Sequence, residues 1–155
     1  MNTATTRTAD PVPGQSDRAK PTPLALPDAI RTFLARPRFA ALASIDPDGT
    51  PHQAVVWYAL DGDTILVNSR RGRRWPANLE RNTNVHLAVY DDEEPTHWVG
   101  LKGHARLLRD GGPALDDIKA LSRRYGDGDP DRFDGQERVS FAIDIDRSFE
   151  YGSRT

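Results

Sequence analysis

Cysteine is absent from the 155-residue chain, which excludes disulfide bonds, thiolate metal sites and cysteine nucleophiles together. Long hydrophobic runs are absent as well, since no apolar stretch approaches the roughly 20 residues that span a bilayer. Residues 1–23 lack an apolar core of the signal-peptide kind and are rich in Thr, Ala, Pro and Asp. We therefore expect a disordered segment over 1–23, one folded domain over 24–155, and a cytoplasmic protein with no membrane partner.

A large excess of charge of either sign is also missing. The 21 basic and 23 acidic residues give a net charge of −2. We therefore do not expect a nucleic-acid partner. Lysine is scarce, and the only lysines are Lys20, Lys102 and Lys119. Positive charge must act locally in this protein, and mainly as arginine.

The hydrophobic pattern predicts a mainly β protein with short peripheral helices. Alternating or β-rich runs predict about six strands, and helical patterns predict three helices. Strands are expected at residues 38–46, 51–60, 64–69, 84–91, 97–110 and 138–152, and helices near 27–36, 73–80 and 112–126. Consecutive antiparallel strands with few helices favour a small β-barrel over a doubly wound sheet. Gly100 and Gly103 predict a bulge or a close backbone approach within the fifth strand.

Several kinds of site are not supported by the sequence. The acidic stretch 127–135 fails as a calcium loop, because Arg132 and Arg138 stand where such a loop needs a glycine and a bidentate carboxylate. The four histidines show no metal-ligand spacing. There is no nucleophile elbow, P-loop or dinucleotide fingerprint. We predict no metal site.

The stretch "NSRRGRRWPANL" at residues 68–79 is the most informative motif. It places four arginines where a strand is predicted to end and a helix to begin. The first N–H groups of a helix have no internal acceptor and carry a partial positive charge, which suits phosphate, and guanidinium groups add donors of fixed geometry. The residues alone leave two interpretations open, a phosphate site and a solvated basic helix start.

From about residue 39 to 152 the order of segments resembles the flavin-binding split β-barrel superfamily. That superfamily includes pyridoxamine 5′-phosphate oxidase and the deazaflavin (coenzyme F-420) dependent reductases. The resemblance is carried by "ALASIDPDGTPHQAVVWYALDGDTILVNS", "SRRGRRWPANLERNTNVHLAVYD" and "HWVGLKGHARLL". It implies a split β-barrel and a homodimer with two cofactor sites at the subunit interface.

The resemblance also assigns residues to the cofactor site. A phosphate group would be met by Ser69 and Arg70, with Arg71, Arg73 and Arg74 nearby. The isoalloxazine-type ring would lie along Gln53, Val55, Val56, Trp57, Val67 and Asn68. Trp98 would reach the cofactor from the other subunit, and Trp75 is a further candidate cofactor-binding residue. The alternative role for Trp57, Trp75 and Trp98 is ordinary core or dimer packing.

Two departures from the family pattern matter. The oxidase continues with a substrate-binding segment that has no counterpart in the final "FEYGSRT", so we expect no oxidation of vitamin B6. The deazaflavin-dependent relatives commonly carry a lysine where this chain has Trp75, which leaves the identity of the cofactor open between F-420 and FMN.

The resemblance therefore predicts an oxidoreductase that transfers a hydride to or from a small organic substrate. The alternative is a non-catalytic module of the same fold that binds or sequesters FMN or haem. No residue is assigned as catalytic, and Tyr58 and His52 are the nearest protic side chains by position.

Overall fold

The computed structural model describes residues 24–152, and within that range the chain forms seven strands and three α-helices. The elements are α1 (Asp28–Leu34), β1 (Ala40–Ile45), β2 (Pro51–Val56), β3 (Tyr58–Asp61), β4 (Thr64–Arg70), α2 (Arg74–Arg81), β5 (Asn84–Tyr90), β6 (Trp98–Asp110), α3 (Gly111–Tyr125) and β7 (Arg138–Tyr151). A short 3-10 helix at Pro130–Phe133 lies between α3 and β7. The predicted disordered segment 1–23 lies outside the described residues.

The seven strands form one antiparallel sheet in the order β2-β1-β5-β6-β7-β4-β3. Its two edge strands, β2 and β3, are separated in the chain by Trp57 alone. A single residue cannot cross a flat sheet of seven strands, because consecutive Cα atoms are about 3.8 Å apart. The sheet therefore curves until its edges meet at Trp57, and it forms a barrel that is split at this seam.

The mainly β fold predicted from the sequence is confirmed, with seven strands in place of about six. The difference arises at Trp57, where the strand expected over residues 51–60 is divided into β2 and β3. Residues that favour strands lie on both sides of Trp57. The local sequence pattern therefore does not show that the chain passes here from one edge strand of the sheet to the other.

The barrel interior is filled by the inward-facing side of each strand. The alternation predicted for the last strand is confirmed, since Val139, Phe141, Ile143 and Ile145 are all completely or almost completely buried. A second apolar cluster lies outside the barrel, where Ile118 and Leu121 of α3 pack near Leu66 of β4. Strand β4 is consequently covered on both faces.

Two glycines in β6 permit close approaches, as their positions predicted. A Cβ atom at Gly103 would lie 2.2 Å from the carbonyl oxygen of Asp144, at a point where the pairing of β6 with β7 shifts register. A Cβ atom at Gly100 would lie 2.1 Å from the ring of Phe149. The bulge and close approach expected in this strand are therefore confirmed.

Among residues 24–152, no helix is long and apolar enough to cross a membrane.

Candidate functional site

The basic stretch forms a tight connection between β4 and α2. Strand β4 ends at Arg70, Gly72 turns the chain with a φ of 92°, and Arg73 precedes the first residue of α2. Neither a capping side chain nor an acidic residue occupies the N-terminus of this helix. The backbone N–H groups of Arg74 and Trp75 therefore have no acceptor within the helix, and Pro76 has no N–H group.

A buried asparagine holds α2 in place. The Nδ2 atom of Asn78 donates to Ser44 Oγ at 3.0 Å and to Asp46 Oδ1 at 2.9 Å. Arg81 donates in turn to the side-chain oxygen of Asn78 at 3.2 Å. Ser44 belongs to β1, and Asp46 is the first residue after that strand. These bonds therefore fix the position of α2 relative to the sheet.

The arginines around this connection fall into two groups. Arg71 lies 3.4 Å from Glu80 and 3.7 Å from Asp110, and Arg74 lies 3.0 Å from Asp46. We call these the paired arginines. The others, Arg70, Arg73 and Arg138, have no carboxylate within ion-pair distance in the part of the chain that the structure describes, and we call them the unpaired arginines.

Arg138 is a buried arginine that was not among the predicted site residues. It is directly opposite Arg70 in the pairing of β4 with β7, and only 7% of its surface is exposed. Its Nε atom donates to Asn68 Oδ1 at 2.9 Å and one terminal nitrogen donates to Gln136 Oε1 at 3.0 Å. Burial, followed by the nearby positive charges of Arg73 and Arg70, lowers its pKa to about 10. Arg138 remains protonated at neutral pH, although burial and neighbouring positive charges make its charged form less favourable.

A pocket of about 230 Å³ lies between Arg73, Arg138, the barrel seam and α3, and Arg70 is not among the residues that line it. Seven residues predicted for the site line it, namely Val55, Val56, Trp57, Asn68, Ser69, Arg73 and Trp75. Sequence reasoning did not anticipate the remaining lining residues, Ile118, Leu121, Arg132, Phe133 and Arg138. All five come from α3, the 3-10 helix or β7. The acidic stretch 127–135, which does not fit a calcium loop, contributes Arg132 and Phe133 to the wall of this pocket.

The pocket combines aromatic walls with positive charge. The Trp57 ring stacks on that of Tyr125, with centroids 5.1 Å apart and planes 10° from parallel. Trp75 is buried in the core, with its ring centroid 6.1 Å from that of Phe141. Trp75 packs in the core and also borders the pocket, and its contact with a cofactor stays a prediction. A planar ring that carries an anionic group matches this lining chemically.

Other predicted site residues lie elsewhere in the single chain. Gln53 and Trp98 border a separate depression of about 280 Å³ beside β5 and β6. The side chain of Val67 is completely buried in the barrel core, so it does not contribute to the pocket wall. The Asn68 amide is bonded inward, toward Arg138 and α3. Asn68 also lines the pocket, and its place along the ring stays a prediction.

The two protic side chains noted from the sequence are not equally placed. Tyr58 is completely buried, and its hydroxyl donates to the carbonyl of Arg36 at 3.1 Å. Burial raises the pKa of this tyrosine far above its ordinary value of 10.0. Tyr58 is thus a structural residue of the core. His52 lies half-buried on β2, and within residues 24–152 no group of three His, Asp or Glu side chains is arranged to hold a metal ion.

Apolar side chains collect on the outer face of the sheet. Tyr90, Trp98 and Tyr151 are successive partners across β5, β6 and β7. The Trp98 ring lies 5.3 Å from that of Phe149 and 6.2 Å from that of Tyr151, measured between centroids. Val55, at the edge of the sheet, is 74% exposed. A soluble monomer rarely leaves such a group of large side chains uncovered.

Solved structures share this fold. An F-420 reductase superimposes with a TM-score of 0.68 and 24% identity, over 80% of this chain and 98% of that one. A conserved hypothetical protein from Mycobacterium tuberculosis gives a TM-score of 0.68 and 22% identity, over 85% and 88% of the two chains. The haem storage protein HutZ from Vibrio cholerae gives 0.63 and 20% identity, over 83% and 96%. These likenesses establish the fold alone.

Comparison with families identifies the protein more directly. No curated protein matches the sequence. Residues 26–151 match the family described as pyridoxamine 5′-phosphate oxidase, and this match spans all seven strands and the pocket between them. The expected resemblance to this group is thereby confirmed. The chain belongs to the pyridoxamine 5′-phosphate oxidase family.

Proposed function

We propose that the protein is an oxidoreductase that binds a phosphorylated deazaflavin (F-420) or FMN and transfers a hydride to or from a small organic substrate. One observation carries the proposal. Two of the unpaired arginines, Arg73 and Arg138, line a pocket that also has aromatic and aliphatic walls. A phosphorylated cofactor with a flat ring offers the complement to both features.

The phosphate end of the cofactor is supported by charge. Like charges close together destabilise one another, and Arg138 is both buried and near two further cations. A bound anion relieves that repulsion and receives charge-assisted hydrogen bonds, each worth about 1.5–3 kcal/mol. The uncapped start of α2 adds backbone N–H donors beside Arg73.

The ring end is supported by the seam of the barrel. Trp57 lies between the two edge strands and is held by its stack with Tyr125. Val55, Val56 and Phe133 extend the apolar lining. When bound, the cofactor supplies the hydride chemistry. The residues of this chain bind it, orient it and exclude water.

We further propose that the active species is a homodimer. In one chain Trp98 and Gln53 border a depression separate from the pocket, as described above. Val55 contributes to the pocket yet is highly exposed, and Phe149 and Tyr151 extend an uncovered apolar face. A second copy packed on this face would cover these side chains and provide a way for Trp98 to approach the cofactor of its partner.

The rival function is haem binding or storage, which the likeness to HutZ raises. Haem is held through an axial side chain, most often histidine. Within the described residues, the pocket lining includes no histidine. His97 and His104 also have acidic partners, Glu150 at 2.8 Å and Asp146 at 2.6 Å. This lining favours a phosphorylated ring over haem.

The test is a comparison of ligands on the purified protein. Separate titrations with reduced F-420, FMN and haem would be followed by absorbance and fluorescence, and then by turnover of quinone and enone acceptors. We expect tight binding of F-420 or FMN and oxidation of the reduced cofactor when an acceptor is added. Haem binding without flavin binding, or no binding at micromolar ligand, would contradict the proposal.

A further inference from the structure

A continuous chain of hydrogen bonds runs from the pocket through the protein to its surface. Arg138 Nε donates to Asn68 Oδ1 at 2.9 Å, and Asn68 Nδ2 donates to Ser140 Oγ at 2.8 Å. Ser140 Oγ donates to Asp117 Oδ2 at 2.6 Å. Arg109 closes the chain with two bonds to Asp117, at 2.7 and 3.1 Å. Four elements, β4, β6, α3 and β7, contribute to it.

The bonds of Asn68 determine which way its amide faces. Its Nδ2 atom has a second acceptor, the carbonyl oxygen of Ala114 at 2.8 Å. With both amide hydrogens used, the oxygen is the atom left for Arg138. Asn68 itself is almost fully buried, so it cannot turn without leaving polar atoms unpaired.

The same chain keeps the pocket end positive. Asp117 is its only carboxylate, and Arg109 pairs with that group at the far end, so the acid is already compensated. Asn68 separates Asp117 from Arg138 with a neutral amide. One terminal nitrogen of Arg138 forms no hydrogen bond within residues 24–152, and the side chain lines the pocket.

We propose that Arg138 is an anion-binding residue of this pocket and that Asn68 is its positioning residue. This rests on the proposed function for the identity of the ligand, and it assigns to β7 a contact with the cofactor's phosphate. Stability alone is a poor reason for such an arrangement, because an apolar residue of similar volume avoids the desolvation of a buried cation. An aspartate at position 68 would compensate Arg138 internally, and the neutral asparagine leaves its charge for a ligand.

The first test separates the phosphate from the ring. FMN and riboflavin share a ring, and only FMN carries the phosphate. Arg138→Gln should weaken FMN binding by roughly 10-fold or more and change riboflavin binding by less than about twofold. Arg106→Gln is the matched control, since Arg106 is half exposed and paired with Asp144 on another part of the sheet. Equal losses for both ligands, or no loss for FMN, would overturn the proposal.

The positioning role of Asn68 has its own readout. Asn68→Ala keeps the arginine but frees it, so the ratio of FMN affinity to riboflavin affinity should fall by about threefold or more. A residue that merely supports the fold would lower both affinities together and leave that ratio unchanged, which would contradict the role. If Arg138→Gln does not fold, Arg138→Lys takes its place, because it keeps the charge and loses the fixed geometry. An unchanged ratio in Arg138→Lys would also count against the proposal.

A probe without a ring distinguishes this inference from the proposed function. Inorganic pyrophosphate should raise the Tm of the wild-type protein and of Arg106→Gln but not that of Arg138→Gln. If this holds while no flavin or deazaflavin binds, the cofactor proposal fails and the anion site stands. If flavins bind but Arg138→Gln keeps the wild-type pyrophosphate response and FMN preference, the anion role of Arg138 fails alone. No stabilisation of the wild type by pyrophosphate overturns the anion site.

Discussion

Two buried asparagines flank the connection between β4 and α2, and the arginines beside them differ in whether a carboxylate compensates their charge. Asn78 binds Asp46, and Asp46 in turn compensates Arg74. Asn68 binds Arg138 directly, and no carboxylate compensates that arginine within the described residues. The two asparagines are similarly buried, whereas Arg74 is largely exposed and Arg138 is buried. The two regions differ in whether the protein itself supplies the negative charge.

This difference indicates what each region is for. At the start of α2, where Arg74 stabilises the fold, Asp46 balances its charge. At the pocket, Arg138 has no such carboxylate within the described residues, and burial and repulsion from Arg73 and Arg70 lower its pKa. Unbalanced charge of this kind is found at functional sites more often than elsewhere. Substitutions in each of the two regions can test this difference.

The largest expected effect comes from removing two unpaired arginines together. Arg70→Gln with Arg73→Gln should weaken binding of FMN or F-420 by about 100-fold, because each substitution removes a charge-assisted contact worth about 1.5–3 kcal/mol. Isothermal titration calorimetry or fluorescence quenching would measure it.

The matched control removes the paired arginines from the same short stretch. Arg71→Gln with Arg74→Gln makes the same change in net charge, but it should alter affinity by less than about fivefold, since these side chains already face carboxylates. Similar losses in the two double variants would mean that total charge, and not pairing, determines binding.

A second prediction addresses the balanced region. Asn78→Ala should lower the free energy of unfolding by about 2–3 kcal/mol, because it leaves the buried Ser44 hydroxyl without this donor and removes one of two donors from Asp46 Oδ1, the other being Arg74. Urea denaturation would measure the loss. The ratio of FMN affinity to riboflavin affinity should remain at the wild-type value, in contrast to Asn68→Ala. A change in that ratio would show that the two asparagines do not have separate roles.

Much of the fold could be predicted because its signals are local. Alternation in β7, turn residues between β1 and β2, and the helix start near Arg73 all depend on neighbours in the chain, and the structure confirms them. The break at Trp57 could not be predicted, since it depends on which strands lie at the two edges of the closed sheet.

The candidate site was predicted only in part, for the same reason. The arginines after β4 form one continuous stretch and stand out in the sequence. Arg138 lies far away in the chain, and only the register of β4 against β7 places it opposite Arg70. The partner of Arg74 is equally remote, because Asp46 follows β1. Which arginines are unpaired is thus a property of long-range pairing.

A third prediction concerns the stability of the ligand-free protein. Arg73→Gln should raise the free energy of unfolding by a few tenths of a kcal/mol, because it relieves repulsion with Arg138. Arg74→Gln should lower it by up to about 1 kcal/mol, because it removes a partly exposed ion pair. Thermal and urea denaturation at low ionic strength would reveal the opposite signs. A loss of stability in both variants would contradict the distinction between paired and unpaired arginines.

The smallest expected effect is the dependence of ligand binding on pH. It tests whether the unpaired arginines bind the phosphate, because FMN and riboflavin differ only in that group. With a pKa of about 10, Arg138 keeps its proton throughout the neutral range and begins to lose it only above about pH 9. No histidine borders the pocket within residues 24–152. FMN affinity should therefore be constant from pH 7 to 9.

Below about pH 6 the phosphate of FMN takes up its second proton, and FMN affinity should fall by about two- to threefold at pH 5.5. Riboflavin, which has no phosphate, should show no such fall. A shared transition near pH 6.5 for both ligands would instead indicate a titrating histidine at the site, and it would show that fixed arginine charge is not what governs binding.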